Sequence, residues 1–423
     1  MSSNLLPRSP YSLEQLEIAT FETDRRVYAD YLQYRLDSHF QPILSLPHRR
    51  VVGHEALLRP YDRDGRLVPP LDLFSETRDT AAIVYLDRLC RDIHVRNFVT
   101  LGDKTNWLFL NVHAQVAMAA PRHAPFFRDL LTRYRVGPER IVVEIVENAI
   151  SDEGRLAETV HFYKELGCLV AVDDFGAGHS NFNRLWRIAP HIVKFDRSLL
   201  VQARNKPAIR RLLPGLVALV HESGSLALLE GVETAEEAAL AYDADFDFVQ
   251  GFFFAHPASS IDQRSPAQLA PLWESIEQLA AQDQTRNSQQ LEAHIEAFAS
   301  AAKLLEHGAT LGEAGAALFQ LPAGRSCFLL DAEGRQIGTD AMPLKYQKTA
   351  AQFAPLADLS GAVWRHRDYF RRAIAHPGEV QLTRPYLSGD GAAMCMTLSI
   401  ALTVGGATQV FCADVACLQD QSI

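Results

Sequence analysis

"LVAVDDFGAGHS", residues 169–180, decides how the rest of the chain is read. An apolar run at 168–172 has the length of a buried strand and meets two adjacent aspartates, Asp173 and Asp174. Two glycines follow within four positions and give a turn too tight for β-branched residues. Ser180 or Asn181 then stands as a helix N-cap. The glycines show neither G-x-G-x-x-G nor Walker A spacing, so they are not a nucleotide fingerprint. The stretch reads as strand, turn and helix. Two carboxylates side by side repel each other, so their place at the end of a buried strand needs a cause.

The pattern repeats on both sides. Between residues 38 and 258, seven short apolar runs end on polar residues and are separated by helical stretches. They are "VVGHE" at Glu55, "LFLN" at Asn111, "IVVE" at Glu144, "LVAVDD" at Asp173 and Asp174, "IVKFD" at Lys194 and Asp196, "LALLE" at Glu230, and "FDFVQ" at Gln250. Strands followed by helices make parallel βα units. This many units predict a barrel closed on itself, with active groups at the C-terminal ends of its strands. One acid ending a strand is ordinarily a helix cap or a solvated turn. Seven such ends are explained together by one shared rim.

A chain of 423 residues exceeds one ordinary core and points to two domains. Apolar residues at 48% and charged residues at 22% give it a globular composition without signs of global disorder. The net charge of -10 argues against a nucleic-acid polymer as partner, because phosphate contacts need clustered Lys and Arg. It leaves a small phosphorylated ligand open, since bound cations invert the local field. Six cysteines (Cys90, Cys168, Cys327, Cys395, Cys412 and Cys417) form no C-x-x-C pair, and several lie in apolar runs as buried thiols would. The opening "MSSNLLPRSPYS" lacks a basic segment before an apolar signal core. No apolar stretch approaches the roughly 20 residues of a membrane span. The expectation is a soluble, cytoplasmic protein.

Glu55, Asn111, Glu144, Asp173, Asp174 and Glu230 carry hard oxygen donors, which suit Mg²⁺ or Mn²⁺ better than zinc. Divalent ions make the adjacent aspartates tolerable, and one carboxylate can bridge two ions. Two metals roughly 3.5–4 Å apart form the usual clamp for in-line attack on a phosphodiester. Lys194 is the only cation among these strand ends. With a lowered pKa it takes a proton from the attacking water or positions that water. The competing reading is a structural lysine paired with Asp196 or a rim acid. His54, His113, His179 and His256 adjoin these motifs without an H-E-x-x-H pair and read as packing or rim residues, since imidazole is not the ligand Mg²⁺ prefers.

In order along the chain, "QPI" (41–43), "EALLR" (55–59), "LNVH" (110–113), "EIVE" (144–147), "DDFGAG" (173–178), "KFD" (194–196), "EGVET" (230–234) and "QGFFFAHP" (250–257) resemble the EAL-domain phosphodiesterases. That family hydrolyses cyclic di-GMP to linear pGpG on a TIM-like barrel, and the resemblance covers about half of the chain. It implies Glu55, Asn111, Glu144 and Asp173 as ligands of a first metal, and Asp173, Asp174 and Glu230 as contributors to a second. Lys194 matches the family's proposed general base, while Asp196 and Gln250 match residues that order water and metal. Gln41, Arg59 and Pro257 match nucleotide contacts, Arg59 through phosphate. Glu147 and Glu233 match acids that anchor the glycine loop. The chain departs from the pattern at His179, Ser180 and Asn181, where Tyr-Ser-Ser is usual, and at Phe195, Leu229 and Pro60. None of these removes a ligand or the base; they bear on rate and loop regulation.

The texture changes after residue 258. Leu291, Ile295, Phe298, Ala302 and Leu305 alternate in steps of four and three, a narrow helical stripe that either packs within the chain or pairs two copies. Farther on, "CFLLDAEGRQIG" reads as a hairpin, "HRDYFRRAIA" as a short helix, and "CMTLSIAL" and "TQVFCADV" as strands. This order resembles a PAS or Cache-like sheet, with Trp364, Arg367, Tyr369, Tyr386 and Asp414 as contacts for an unknown small ligand. The same residues also suit a core or an interface.

The fold expected is thus α/β: a lead-in at 1–37, a TIM-like (β/α)8 barrel (EAL domain) at 38–258, a helical linker at 259–320 and a small α+β PAS/Cache-like domain at 321–423. The expected function is two-metal hydrolysis of cyclic di-GMP by a homodimer, tuned by the C-terminal domain. The alternative is a cyclic di-GMP receptor that signals by conformational change without useful turnover. A third reading, an enolase-type barrel with a lysine base, fits paired aspartates and an asparagine ligand less well.

Overall fold

The computed structural model describes residues 12–23, 26–77, 79–117, 120–146, 153–178, 182–343, 359–388 and 394–417. It divides into two compact units, Met1–Ala280 and Ala281–Ile423.

The first unit contains β1 (Thr20–Thr23), β2 (Arg26–Tyr31), β3 (Tyr34–Ser45), β4 (Arg50–Tyr61), β5 (Trp107–Asn111), β6 (Ile141–Val146), β7 (Leu169–Phe175), β8 (Ile192–Phe195), β9 (Leu226–Leu229) and β10 (Phe248–Val249). From β4 to β10 each strand pairs in parallel with the next. β3 joins β10 to β4 and closes eight strands into a barrel.

β3 itself runs antiparallel to both neighbours, which the repeating βα pattern did not anticipate. The cause is local. Only residues 46–49 separate β3 from β4, with Arg49 at φ 53. A parallel crossover needs about a dozen residues or more, so this connection makes a hairpin. Glu55 likewise does not end its strand. β4 continues to Tyr61 against β3 after its parallel pairing with β5 has ended at Ala56. Of the stretch before residue 38, β1, β2 and the start of β3 belong to the sheet as well, since β2 pairs with β3 and β1 with β2.

Inside the barrel, Ile43, Phe109, Val142, Ala171, Ile192, Leu228 and Phe248 form an apolar floor. Side chains alternate across a strand, so the residue two positions farther along points inward as well. Gly53 belongs to this floor through what it lacks: a Cβ there would lie 2.7 Å from the Phe109 ring. The outer strand faces pack under helices in two larger apolar clusters.

The region expected as a helical linker, 259–320, is largely helical. A helix spans Pro266–Glu306. Its Leu269, Trp273, Ile276 and Ala280 belong to the first unit's core, while Phe298, Ala301, Ala302 and Leu305 belong to the second's. Phe298, Ala302 and Leu305 of the helical stripe pack within the chain, with the Phe298 ring stacked 4.6 Å from Phe411.

In the second unit, β11 (Gly324–Leu330), β12 (Gln336–Ala341), β13 (Gln381–Leu382), β14 (Tyr386–Leu387), β15 (Met394–Val404) and β16 (Ala407–Ala416) form one antiparallel sheet. Asp331 makes the β11–β12 turn by accepting the Glu333 and Arg335 amides, with Gly334 at φ 79. Along β16, Phe411, Ala413 and Val415 face the core shared with Phe298, and Val410 and Cys412 face a core shared with the helix Asp368–Ala375. All six cysteines are buried and unbridged. Among the described residues no helix is long and apolar enough to cross a membrane.

Candidate functional site

The alternation that builds the floor also builds the rim. Asn111 lies two residues past Phe109, Glu144 past Val142, Asp173 past Ala171, Lys194 past Ile192, Glu230 past Leu228 and Gln250 past Phe248. Glu55 stands two past Gly53. On β3 the direction is reversed, so Gln41 stands two residues before Ile43 and reaches the same rim.

Lys194 sits at the centre and is 1% exposed. Its Nζ lies 2.5 Å from Glu144 Oε1, 2.5 Å from Glu230 Oε1, 3.3 Å from Asp173 Oδ1 and 3.8 Å from Glu55 Oε2. Glu55 receives two further donors, Asn111 Nδ2 at 2.9 Å and Gln250 Nε2 at 2.6 Å. Gln250 Nε2 also lies 3.2 Å from Gln41 Oε1, and Gln41 donates to the Ala255 carbonyl at 3.1 Å. Among the described residues, buried Glu144 Oε2 and Gln250 Oε1 have no hydrogen-bond partner.

Four acids face one ammonium, and the electrostatics follow from that imbalance. Burial alone lowers the Lys194 pKa, but Asp173, Glu144, Glu230 and Glu55 together hold it well above the ordinary lysine value. Burial and neighbouring Glu55 push the Glu144 carboxyl well up, against the pull of Lys194. Burial raises Glu230 to about 8, again against Lys194.

The aspartate pair is resolved by a backbone irregularity. Regular alternation would send Asp174 to the outside of the barrel. The pairing of β7 with β8 shifts register between Val172 and Phe175, and Asp174 takes φ 60, a left-handed conformation that aspartate tolerates better than most residues. Burial and the fields of Asp173 and Asp196 raise the Asp174 pKa, with Lys194 opposing.

Other expected site residues have different surroundings. Asp196 caps the helix Arg197–Asn205, accepting the Ser198 amide at 2.9 Å. Glu233 pairs with Arg197 rather than with the described part of the glycine turn. Glu147 and the loop residues His179, Ser180 and Asn181 lie outside the described residues. Arg59 is half-buried, within the field of Glu55, and donates to the Leu58 carbonyl. Pro257 is partly buried beside Ala258, whose backbone pairs with Phe40 of β3. The histidines pack: His54 accepts the Asp262 amide at 3.1 Å, His113 stacks on Phe74 and His256 on Phe252. Phe195 fits between Phe175 and Phe246, each 5.2 Å away.

An open cleft beside the rim is lined by Gln41, Glu55, Glu230 and Gln250, and by two residues the sequence reading passed over, Arg197 and Phe252. Phe252 is 50% exposed. Arg197 had a sequence signal, since it follows "KFD" directly; in the structure its side chain fills the space that a Cβ on Gly231, at φ 66, would need.

A closed eight-stranded barrel with a polar, acid-rich cluster on the C-terminal edge of its parallel strands defines a TIM-like barrel with its polar groups gathered at one rim. The chain belongs to the EAL-domain family, whose model matches residues 25–257. Among curated proteins it is similar to the signaling protein YkoW of Bacillus subtilis, 27% identical over 52% of this chain and 28% of that protein. It is also similar to the cyclic di-GMP phosphodiesterase RocR of Pseudomonas aeruginosa, 27% identical over 57% of this chain and 62% of that one. The matches thus cover less than two thirds of either relative. Among solved structures, Bacillus subtilis YkuI, an EAL-domain protein in complex with c-di-GMP and calcium, shares the fold with a TM-score of 0.75. That likeness covers 90% of this chain and 96% of the other at 18% identity.

Proposed function

We propose that the first unit is a cyclic di-GMP phosphodiesterase that opens the cyclic dinucleotide to linear 5'-pGpG. The observation that carries this reading is the gathering of oxygen side chains from separate strands around Lys194 at one rim. The family and the relatives named as phosphodiesterases support it.

The residues present fit divalent cations. The donors are carboxylate and amide oxygens, the acids outnumber the lysine, and Glu144 Oε2 is buried without a hydrogen-bond partner among the described residues. Glu55, Asn111, Glu144 and Asp173 would hold one ion, and Asp173, Asp174 and Glu230 would contribute to a second, as Mg²⁺ or Mn²⁺. Such ions, when bound, neutralise phosphate charge and make water a nucleophile near neutral pH. Lys194 accepts a proton only as the neutral amine. Cations on its acids would cancel the field that keeps Nζ charged, leaving burial and their own repulsion to lower its pKa. Asp196 and Gln250 help order the attacking water, Arg59 and Gln41 bind the nucleotide beside Pro257, and the exposed Phe252 ring offers a face to a base. Glu147 and Glu233 are proposed to steady the glycine loop, Glu233 while paired with Arg197. The second unit is proposed as the regulator.

A second reading, reception without turnover, is favoured by one observation. Lys194 Nζ is ion-paired with Glu144 and Glu230, and its acids hold it in the charged form that cannot take a proton. Incubating the purified chain with cyclic di-GMP and Mg²⁺ or Mn²⁺ separates the two. Hydrolysis predicts pGpG by chromatography, abolished by EDTA. A folded chain that binds the nucleotide and yields no pGpG with either metal defeats the enzymatic reading.

A further inference from the structure

The five residues expected around a C-terminal pocket, Trp364, Arg367, Tyr369, Tyr386 and Asp414, all line one narrow cavity of the second unit. Asp414 reaches it by alternation along β16, on the face opposite Phe411, Ala413 and Val415.

Both signs of charge meet in this cavity, but they are not equally satisfied. Asp414 Oδ1 accepts the Thr397 hydroxyl at 2.6 Å and has the Tyr386 hydroxyl at 3.5 Å. Asp340 accepts Gln336 Nε2 at 2.5 Å, and the oxygen of that amide accepts Trp364 Nε1 at 2.9 Å. Arg367 is held differently. Its guanidinium carbon lies 5.8 Å from the Trp364 ring centre and 5.5 Å from that of Tyr386. Its Nε is enclosed and has no hydrogen-bond partner among the described residues. Aromatic contacts take the faces of a guanidinium and leave its N–H edge for an in-plane acceptor. An enclosed charged donor without an acceptor is costly, and a planar two-oxygen anion satisfies such an edge with paired hydrogen bonds.

A second observation points the same way. Arg367, Tyr369 and Tyr386 also line an adjoining open groove with His366, Arg372 and Arg384. The acid in that groove, Asp368, is paired with Arg371. The approach to Arg367 is therefore positive and draws anions toward it.

We propose that the second unit binds a small carboxylate-bearing molecule, its carboxylate seated on the edge of Arg367 and its body against Trp364 and Tyr386. Carboxylates of a few carbon atoms are the simplest probes of that edge. The inference concerns binding alone and stands whether or not the barrel hydrolyses a nucleotide.

The test uses the full chain, with thermal melts and calorimetry against acetate, pyruvate, succinate and glycine, and with chloride and inorganic phosphate at matched ionic strength as controls. At least one carboxylate should raise the melting temperature saturably, by several degrees at about a hundred times its Kd. Arg367→Gln should weaken that binding at least tenfold. Arg367→Lys, which keeps the charge and loses the fork, should do the same and serves if the glutamine variant fails to fold. Arg384→Ala should weaken it less and reduce its salt dependence. The proposal is overturned if none of the four carboxylates binds, if phosphate alone binds, or if binding survives unchanged in the Arg367 variants.

Discussion

Lys194 holds four acids together, and its removal separates the two readings of the rim. In Lys194→Ala, pGpG formation should fall by about 10²–10⁴, the usual range for losing a general base, while nucleotide binding persists. Turnover within a factor of a few of the original would remove Lys194 from the chemistry. The same cluster makes a claim about pH. Glu230 keeps its proton up to about 8 rather than 4.5, burial outweighing Lys194. Across that window the folded chain holds a proton that the unfolded chain has released, so stability falls as pH rises. In EDTA, the melting temperature of Glu230→Gln should therefore fall less between about pH 5 and 8 than that of the parent chain. Parallel curves would refute the assignment. At this scale the sequence was informative about which residues meet, because polar groups ending apolar runs are visible in the letters. It was silent on how Asp174 turns inward, which depends on a register shift and a positive φ.

At the scale of elements, alternation does most of the work, and Gly53 is its weak point. Gly53→Ala places a methyl against the Phe109 ring and should destabilise the barrel by roughly 1–3 kcal/mol, measured by denaturant unfolding. Adding Phe109→Leu should recover part of the loss. A neutral single variant would mean that the floor is looser than the 2.7 Å approach implies. The parallel strands were legible because each has its own apolar run and following helix. The direction of β3 was not, since periodicity identifies a strand without orienting it. The short connection at 46–49 was the available sign. The extension of β4 past Glu55 was hidden for a similar reason: "ALLRPY" alternates with β3, not with the next parallel strand.

For the whole molecule, the helix Pro266–Glu306 contributes to two cores. Its apolar stripe was legible as a packing face, but which core each position enters was not. A fragment of residues 281–423 should fold, with cooperative melting by circular dichroism. A fragment of 308–423 lacks Phe298, Ala301, Ala302 and Leu305 and should not. Cooperative folding of the shorter piece would show that the helix is dispensable to the second core.

The sealed cysteines turn the chain into its own recorder. Cys90 and Cys168 lie in the first unit, and Cys327, Cys395, Cys412 and Cys417 in the second. Burial pushes the pKa of five of them upward and keeps those thiols from the reactive thiolate form. An alkylating reagent can then mark a sulfur only after the surrounding unit has opened. The mass added over time, two labels or four, would report which half of the protein breathes first.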